Sequence, residues 1–257
     1  MKSMSNLILK NQTLKNVHLV IFDKDGTLID IHHYWCSMIE FRARFFVDSL
    51  SHENLDHNAL YNDLVDRMGI DLKTKTMKPE GPVGIKPRHI IQQIALETLL
   101  KYTDTYKIEM VADIFEQVDQ FSKNELTRIV RPLKGVKEFL LQLNNAGVLC
   151  TIATTDLSTR AKLAMQSLNM EHFFCDIAGA DLVQKTKPDP DLVNYLLLRH
   201  HVSPQNAVVI GDSIVDLEMA NRANCRFIGV TTGLYTDDFM NKSSILADTL
   251  SEIGVES

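Results

Sequence analysis

No apolar run in this 257-residue chain approaches the roughly 20 residues that span a bilayer, so no membrane helix is predicted. The opening segment, MKSMSNLILKNQTLKN, holds a three-residue apolar stretch, too short for the core of a signal peptide. The four cysteines, Cys36, Cys150, Cys175 and Cys225, include no C-x-x-C pair, which removes the common zinc and redox motifs. Cys150 and Cys175 lie in apolar runs and read as reduced core thiols. Basic runs interleaved with aromatics are also missing, and a formal net charge of −6 argues against general nucleic-acid binding. No internal repeat or low-complexity tract stands out. The expectation is a cytoplasmic protein with neither a nucleic acid nor a membrane as partner.

What the chain does have is enough apolar material for a real core, 45% of its residues. Four short runs, HLVIFD, VLCTIATT, AVVIGD and RFIGVTT, have the length and β-branched content of buried parallel strands, with FFCDIAGA as a weaker fifth. Helical patterns lie between them. Pro132 can open a helix that places Leu133, Val136, Phe139, Leu140 and Leu143 on one face and ends at Gly147. Ser158 can cap a second, and Asp189 with Pro190 can start a third. Strands alternating with helices predict an α/β fold, a doubly wound, Rossmann-like parallel sheet with helices on both faces.

The alternation stops once. From about residue 32 to residue 129 the patterns are helical, with no convincing strand. A structureless loop of that length would be foreign to a compact domain. Residues 1–31 and 130–257 are therefore expected to form the α/β core, and residues 32–129 an inserted all-helical unit. Within it, KTKTMKPEGPVGIKP reads as a hinge or exposed loop, because Pro and Gly break the helical pattern.

Ligands of an open α/β sheet bind beyond the carboxyl ends of its strands. At those ends stand Asp23 and Asp25, Thr154 and Thr155, and Asp212 with Asp216 one helical turn later; Lys187 precedes a helix in KTKPDPD. Alternate residues at a strand end can point the same way, so Asp23 and Asp25 can serve one site. Each residue alone has an ordinary explanation: turn chemistry, a β-branched strand residue, a helix-start acid or a solvated lysine. All of these would have to hold together.

Clustered carboxylates repel, so such a site calls for a cation. All-oxygen donors favour a hard ion, and Mg²⁺ suits a few carboxylates with room left for water and phosphate. A calcium-binding loop counted from Asp23 fails, since it needs Gly and Glu where Leu28 and Tyr34 stand.

DKDGTL, the strand-end Thr154, Lys187-Pro188 and GDSIVD resemble, in order, the four motifs of the haloacid dehalogenase superfamily. The helical insertion resembles that superfamily's cap, placing the chain near its phosphoglycolate phosphatase-like members. The resemblance covers nearly everything after residue 16. It implies a phosphatase acting on a small phosphorylated metabolite through an aspartyl-phosphate. Asp23 would be the nucleophile and Asp25 the general acid and base. Thr154 and Thr155 would hold the phosphoryl group, and Lys187 would neutralise it. Mg²⁺ would sit on the Asp23 and Asp212 side chains and the Asp25 carbonyl, with Asp216 orienting Lys187 or acting through water.

Two residues depart from the pattern. Thr155-Asp156 stands where an Asn often follows the hydroxyl, and Lys24 occupies a position that is more often apolar. His32, His33, Trp35 and the Lys86, Arg88 and His89 cluster are candidates for gripping the leaving group. For the two histidines the competing reading is a solvated turn pair, and for Trp35 a core position. A sugar phosphomutase of the same superfamily is the nearest alternative activity, and a non-catalytic binding protein the alternative from another class. A dehalogenase or phosphonate-cleaving activity is disfavoured, because both dispense with the acid at position 25.

Overall fold

The computed structural model describes residues 5–78, 80–83, 86–233 and 235–256. In chain order its main elements are β1 (Ser5–Leu9), β2 (Gln12–Val17), β3 (Leu19–Phe22), α1 (Ile31–Ser49), α2 (His57–Met68), α3 (Arg88–Leu99), α4 (Ile108–Asn124) and α5 (Leu126–Ile129). Then follow α6 (Val136–Asn145), β4 (Leu149–Ala153), α7 (Ser158–Ser167), β5 (Asp176–Ala178) and α8 (Asp191–His200). The last are β6 (Ala207–Gly211), α9 (Ile214–Arg222), β7 (Arg226–Val230), α10 (Asp237–Lys242), β8 (Leu246–Ala247) and β9 (Gly254–Glu256). The chain divides into two compact units, one of residues 1–31 with 130–257, the other His32–Ile129.

The larger unit is built on a six-stranded sheet of order β5-β4-β3-β6-β7-β8, all of whose pairs are parallel. This is the doubly wound α/β class predicted from the five apolar runs. β3 and β6 are buried along their whole length, as strands covered on both faces must be. The two faces follow the strand period of two. Leu19 and Ile21 pack with Leu192, Val193 and Leu196 of α8 and Leu217 and Ala220 of α9. Phe22 points the other way, edge-on to Phe139 of α6 at 6.1 Å between centroids. β3 lies at the middle of the sheet, where the chain winds out to β4 on one side and returns to β6 on the other. Such a reversal of strand order makes the crevice used by ligands in this class.

The structure adds a sheet that the sequence reading did not address and corrects several local expectations. The N-terminal segment is a hairpin, and β1 also pairs antiparallel with β9, giving a second sheet of order β2-β1-β9. Its inward residues Leu7 and Leu9 are buried. α6 begins at Val136, not at Pro132: Gly135 precedes it at φ 82°, and Pro132 bridges to Ile29. Ser158 is the first residue of α7 and not its cap, because its hydroxyl donates to Asp181 at 2.6 Å. Cys150 is buried as expected, but Cys175 is exposed, with its sulfur 3.9 Å from His200 Nε2.

The smaller unit is helical. α2 starts at Asp56, whose carboxylate accepts from the amides of Asn58 and Ala59, and ends at Gly69, φ 119°. In the segment predicted as an exposed loop, Pro79, Gly84 and Ile85 lie outside the described residues. The rest is partly interior: Met77 bridges to Ile70, and Met77, Gly81 and Val83 are buried. Among the described residues no helix is long and apolar enough to cross a membrane.

Candidate active site

The acids stand where the central strands end. Asp23 continues the ladder one residue past β3, its amide donating to Ile210 O at 2.8 Å. Asp212 follows β6 directly, and Asp216 sits in the first turn of α9. Among the described residues, one carboxylate oxygen each from Asp23, Asp212 and Asp216 lie within 4.8 Å of one another. Lys187, with its side chain 3% exposed, donates to Asp23 and lies 2.6 Å from Asp216. The Lys187-Pro188 peptide is cis. Ser213 donates its hydroxyl to Asp216, and Thr27 reaches Asp212 at 3.4 Å.

Backbone packing makes room for this crowd. Gly26 has φ +93°, and a Cβ there would collide with the Asp212 carboxylate. Gly211 is pressed in the same way against Asp216. The turn from Asp23 to Ile29 is closed by three backbone bonds: Leu28 and Ile29 amides to Lys24 O, and Gly26 amide to Ile29 O. Thr232 adds a hydroxyl bond to Gly26 O at 2.5 Å.

The electrostatics follow from this crowding. Burial, with the neighbouring Asp216 and Asp25, pushes Asp23 up to about 7, against the pull of Lys187. Burial and the charges of Asp23 and Asp216 hold Asp212 well above the ordinary carboxylate range. Burial works against the Lys187 charge, but Asp216 and Asp23 outweigh it and keep the ammonium charged. Three buried acids and one lysine leave excess negative charge on oxygen donors. That donor set fits a hard divalent cation.

Asp25 is tied elsewhere. Its Oδ2 lies 3.0 Å from Lys24 Nζ, while its Oδ1 is buried and makes no hydrogen bond among the described residues. Lys24 Nζ is also 3.0 Å from Asp156 Oδ2. The Asp156 amide in turn donates to Thr154 Oγ1 at 3.1 Å. Thr154 is buried at the end of β4, whereas Thr155 is exposed. The structure thus brings Asp23, Asp212, Asp216 and Lys187 into one cluster and links Asp25 to Thr154 through Lys24 and Asp156. The two departures from the family pattern are each other's partners. Sequence reading singled out both but did not pair them; their opposite charges were the available signal.

The residues considered for gripping a leaving group are placed within the helical unit. His32 and His33 lie in α1 and are not a solvated turn pair: His32 Nδ1 accepts from the Met77 amide at 3.3 Å, and His33 Nε2 meets Arg128 O at 2.9 Å. Arg88 pairs with Asp119 at 2.5 Å and stacks over Phe115. Trp35 is half-buried against Tyr34, while Lys86 and His89 are exposed.

Residues 20–230 match the family model described as haloacid dehalogenase-like hydrolase. The chain belongs to that family. Among curated relatives, the phosphoglycolate phosphatase of Vibrio cholerae is 30% identical over 139 residues, 54% of this chain and 62% of that protein's length. A phosphoglycolate phosphatase of Mesorhizobium japonicum is 28% identical over 219 residues, 85% of this chain and 84% of its own. A solved haloacid dehalogenase-superfamily hydrolase, subfamily IA, from Geobacter sulfurreducens has the same fold: TM-score 0.62 at 17% identity, covering 92% of this chain and 94% of that one.

Proposed function

We propose that this family member is a Mg²⁺-dependent phosphatase that hydrolyses a small phosphate monoester through an aspartyl-phosphate on Asp23. The observation that carries the reading is the buried Asp23–Lys187–Asp216 pairing beside Asp212 at the ends of β3 and β6. Phosphoryl transfer asks for a nucleophile held in place and for positive charge on the phosphoryl oxygens. Asp23 supplies the first. Lys187 supplies the second and is itself oriented by Asp216.

In the first step an Asp23 carboxylate oxygen bonds to phosphorus as the bond to the ester oxygen breaks. Asp25 gives that departing oxygen its proton. Asp25 then takes a proton from water, whose oxygen bonds to phosphorus while the Asp23 bond breaks, releasing phosphate and restoring both acids. Thr154 and the turn around it hold the phosphoryl oxygens. The Asp23 and Asp212 carboxylates and the Asp25 carbonyl would hold Mg²⁺, which supplies charge neutralisation to the transferring group when bound.

The helical unit enters the chain between Asp25 and Thr154, which supports reading it as a cap that selects the substrate and excludes water. The named relatives support a small anionic ester, and a soluble metabolite of that kind fits a cytoplasmic location. Phosphoglycolate is the first ester to test. The experiment is phosphate release from a panel of metabolite esters with Mg²⁺ and with excess chelator. Metal-dependent release of phosphate supports the reading. Isomerised phosphate without release indicates a mutase, and no turnover of any ester indicates a binding protein.

A further inference from the structure

The catalytic reading uses the backbone of the turn that holds Asp156 but gives no task to the Lys24 or Asp156 side chains, yet both are anchored with care. The Lys24 side chain is 2% exposed, deeper than either carboxylate it meets. An ammonium ion that deep is stable only when paired, and this one has two carboxylates at 3.0 Å. Its backbone carbonyl is fixed as well, accepting from Leu28 and Ile29.

Asp156 is held from four directions. Its amide donates to Thr154 Oγ1, its carbonyl accepts from Ala180 at 2.9 Å, and its Oδ1 accepts from the Leu157 amide at 2.8 Å. Its Oδ2 takes Lys24. The same turn is bolted down by Asp181, whose carboxylate accepts from the Ser158 amide at 2.7 Å and the Ser158 hydroxyl at 2.6 Å. Asp156 is therefore a rigid post, and Lys24 is a strut from that post to Asp25.

We infer that Lys24 and Asp156 are a positioning pair for Asp25, locking the turn after β3 to the turn after β4. Lys24 fixes the Asp25 carboxylate through Oδ2 and leaves Oδ1, the oxygen without a hydrogen bond among the described residues, to exchange the proton. The inference rests on the proposed role of Asp25 as general acid and base. Buried ion pairs contribute little net stability compared with apolar replacements, so holding geometry is the better account of this one. A shift of about 1 Å in a reacting group can cost about 10²-fold in rate.

The test is single-turnover kinetics with Mg²⁺ on an alkyl phosphate and an activated aryl phosphate, with inorganic phosphate inhibition measured alongside. Lys24→Met is expected to slow the alkyl ester by about 10²-fold and the aryl ester far less, with the phosphate inhibition constant little changed. Asp156→Asn should give the same pattern more weakly, and Lys24→Arg should recover most of the alkyl rate. The double variant should be no slower than Lys24→Met, because the two residues act as one device. If Lys24→Met fails to fold, the Asp156→Asn and Lys24→Arg patterns decide the matter.

Equal losses on both esters, additive losses in the double variant, or a parallel loss of phosphate binding would overturn the positioning role. So would an undiminished alkyl rate in Lys24→Met. If Asp25→Asn itself shows no preference between the esters, the general-acid reading falls, and this inference falls with it. If Asp25→Asn shows the preference and the Lys24 and Asp156 variants do not, only the inference falls.

Discussion

Lys187 sets its ammonium 2.6 Å from Asp216 and bonds Asp23 as well, so one cation joins a helix-start acid to a strand-end acid. Replacing it with an uncharged side chain of similar length leaves buried carboxylates facing each other. Lys187→Met is expected to lower kcat by about 10²–10³-fold, the range seen when one preorganised charge-stabilising donor is lost. The metal-free variant should also melt below wild type, since removing one partner of a buried pair is costly. Steady-state kinetics with Mg²⁺ and a melting curve in chelator check the two parts.

The raised carboxylates make a prediction about pH. In the metal-free protein Asp23 titrates near 7, above its ordinary value of 3.8, and Asp212 shifts in the same direction. Between those pH values the folded state binds more protons than the unfolded state, so stability falls as pH rises. Melting temperature in chelator should therefore drop from pH 5 towards pH 8. Mg²⁺ held by the ionised acids, as proposed, should flatten or reverse the slope. Asp212→Asn, which removes a like charge, should raise the metal-free melting temperature at pH 8 by a few degrees. A metal-free protein that gains stability across this range would contradict the crowding argument.

Asp25 should declare itself through the leaving group. Asp25→Asn keeps the backbone carbonyl but loses the proposed proton donor. Alkyl phosphates, whose departing oxygen needs that proton, should lose about 10²–10⁴-fold. An activated aryl phosphate can leave unprotonated, so a burst of aryl alcohol followed by slow turnover is expected. Rapid-quench traces on both esters distinguish this from a uniform loss.

Within the helical unit, the proposed selector role is expected to show at Lys86 and His89, whose side chains are exposed. Lys86→Ala and His89→Ala should raise KM for an anionic metabolite ester while leaving a small aryl phosphate nearly unaffected. Arg88→Ala is a different case, because it also breaks the Asp119 pair and the stacking on Phe115, so it should lower the melting temperature. Comparing kcat and KM on the two esters, with melting curves, separates the roles.

Much of this was legible in the sequence because the central strands are buried on both faces and read as unbroken apolar runs. Their ends then point to the acids. The small antiparallel sheet was not legible: β1 offers only a short alternation, and its partner β9 comes from the opposite end of the chain. Helix starts slipped where turn geometry outranked a favourable residue, as at Gly135 ahead of α6. The Lys24–Asp156 pair spans 132 positions, a distance that no local pattern can bridge. The setting of His32 and His33 was hidden for the same reason, since Met77 and Arg128 become their partners only through packing, which excludes the turn-pair alternative.

The central claim is that Asp23 carries the phosphoryl group during turnover. The most direct measurement mixes enzyme, Mg²⁺ and a small phosphate ester, quenches in acid within one turnover, and maps the modification by peptide mass spectrometry. One phosphoryl group on the peptide containing Asp23, lost on treatment with hydroxylamine and absent in Asp23→Asn, is the result expected of an acyl phosphate. Active enzyme whose phosphoryl group sits on another residue, or an Asp23→Asn variant that still turns over at a substantial fraction of the wild-type rate, would contradict it.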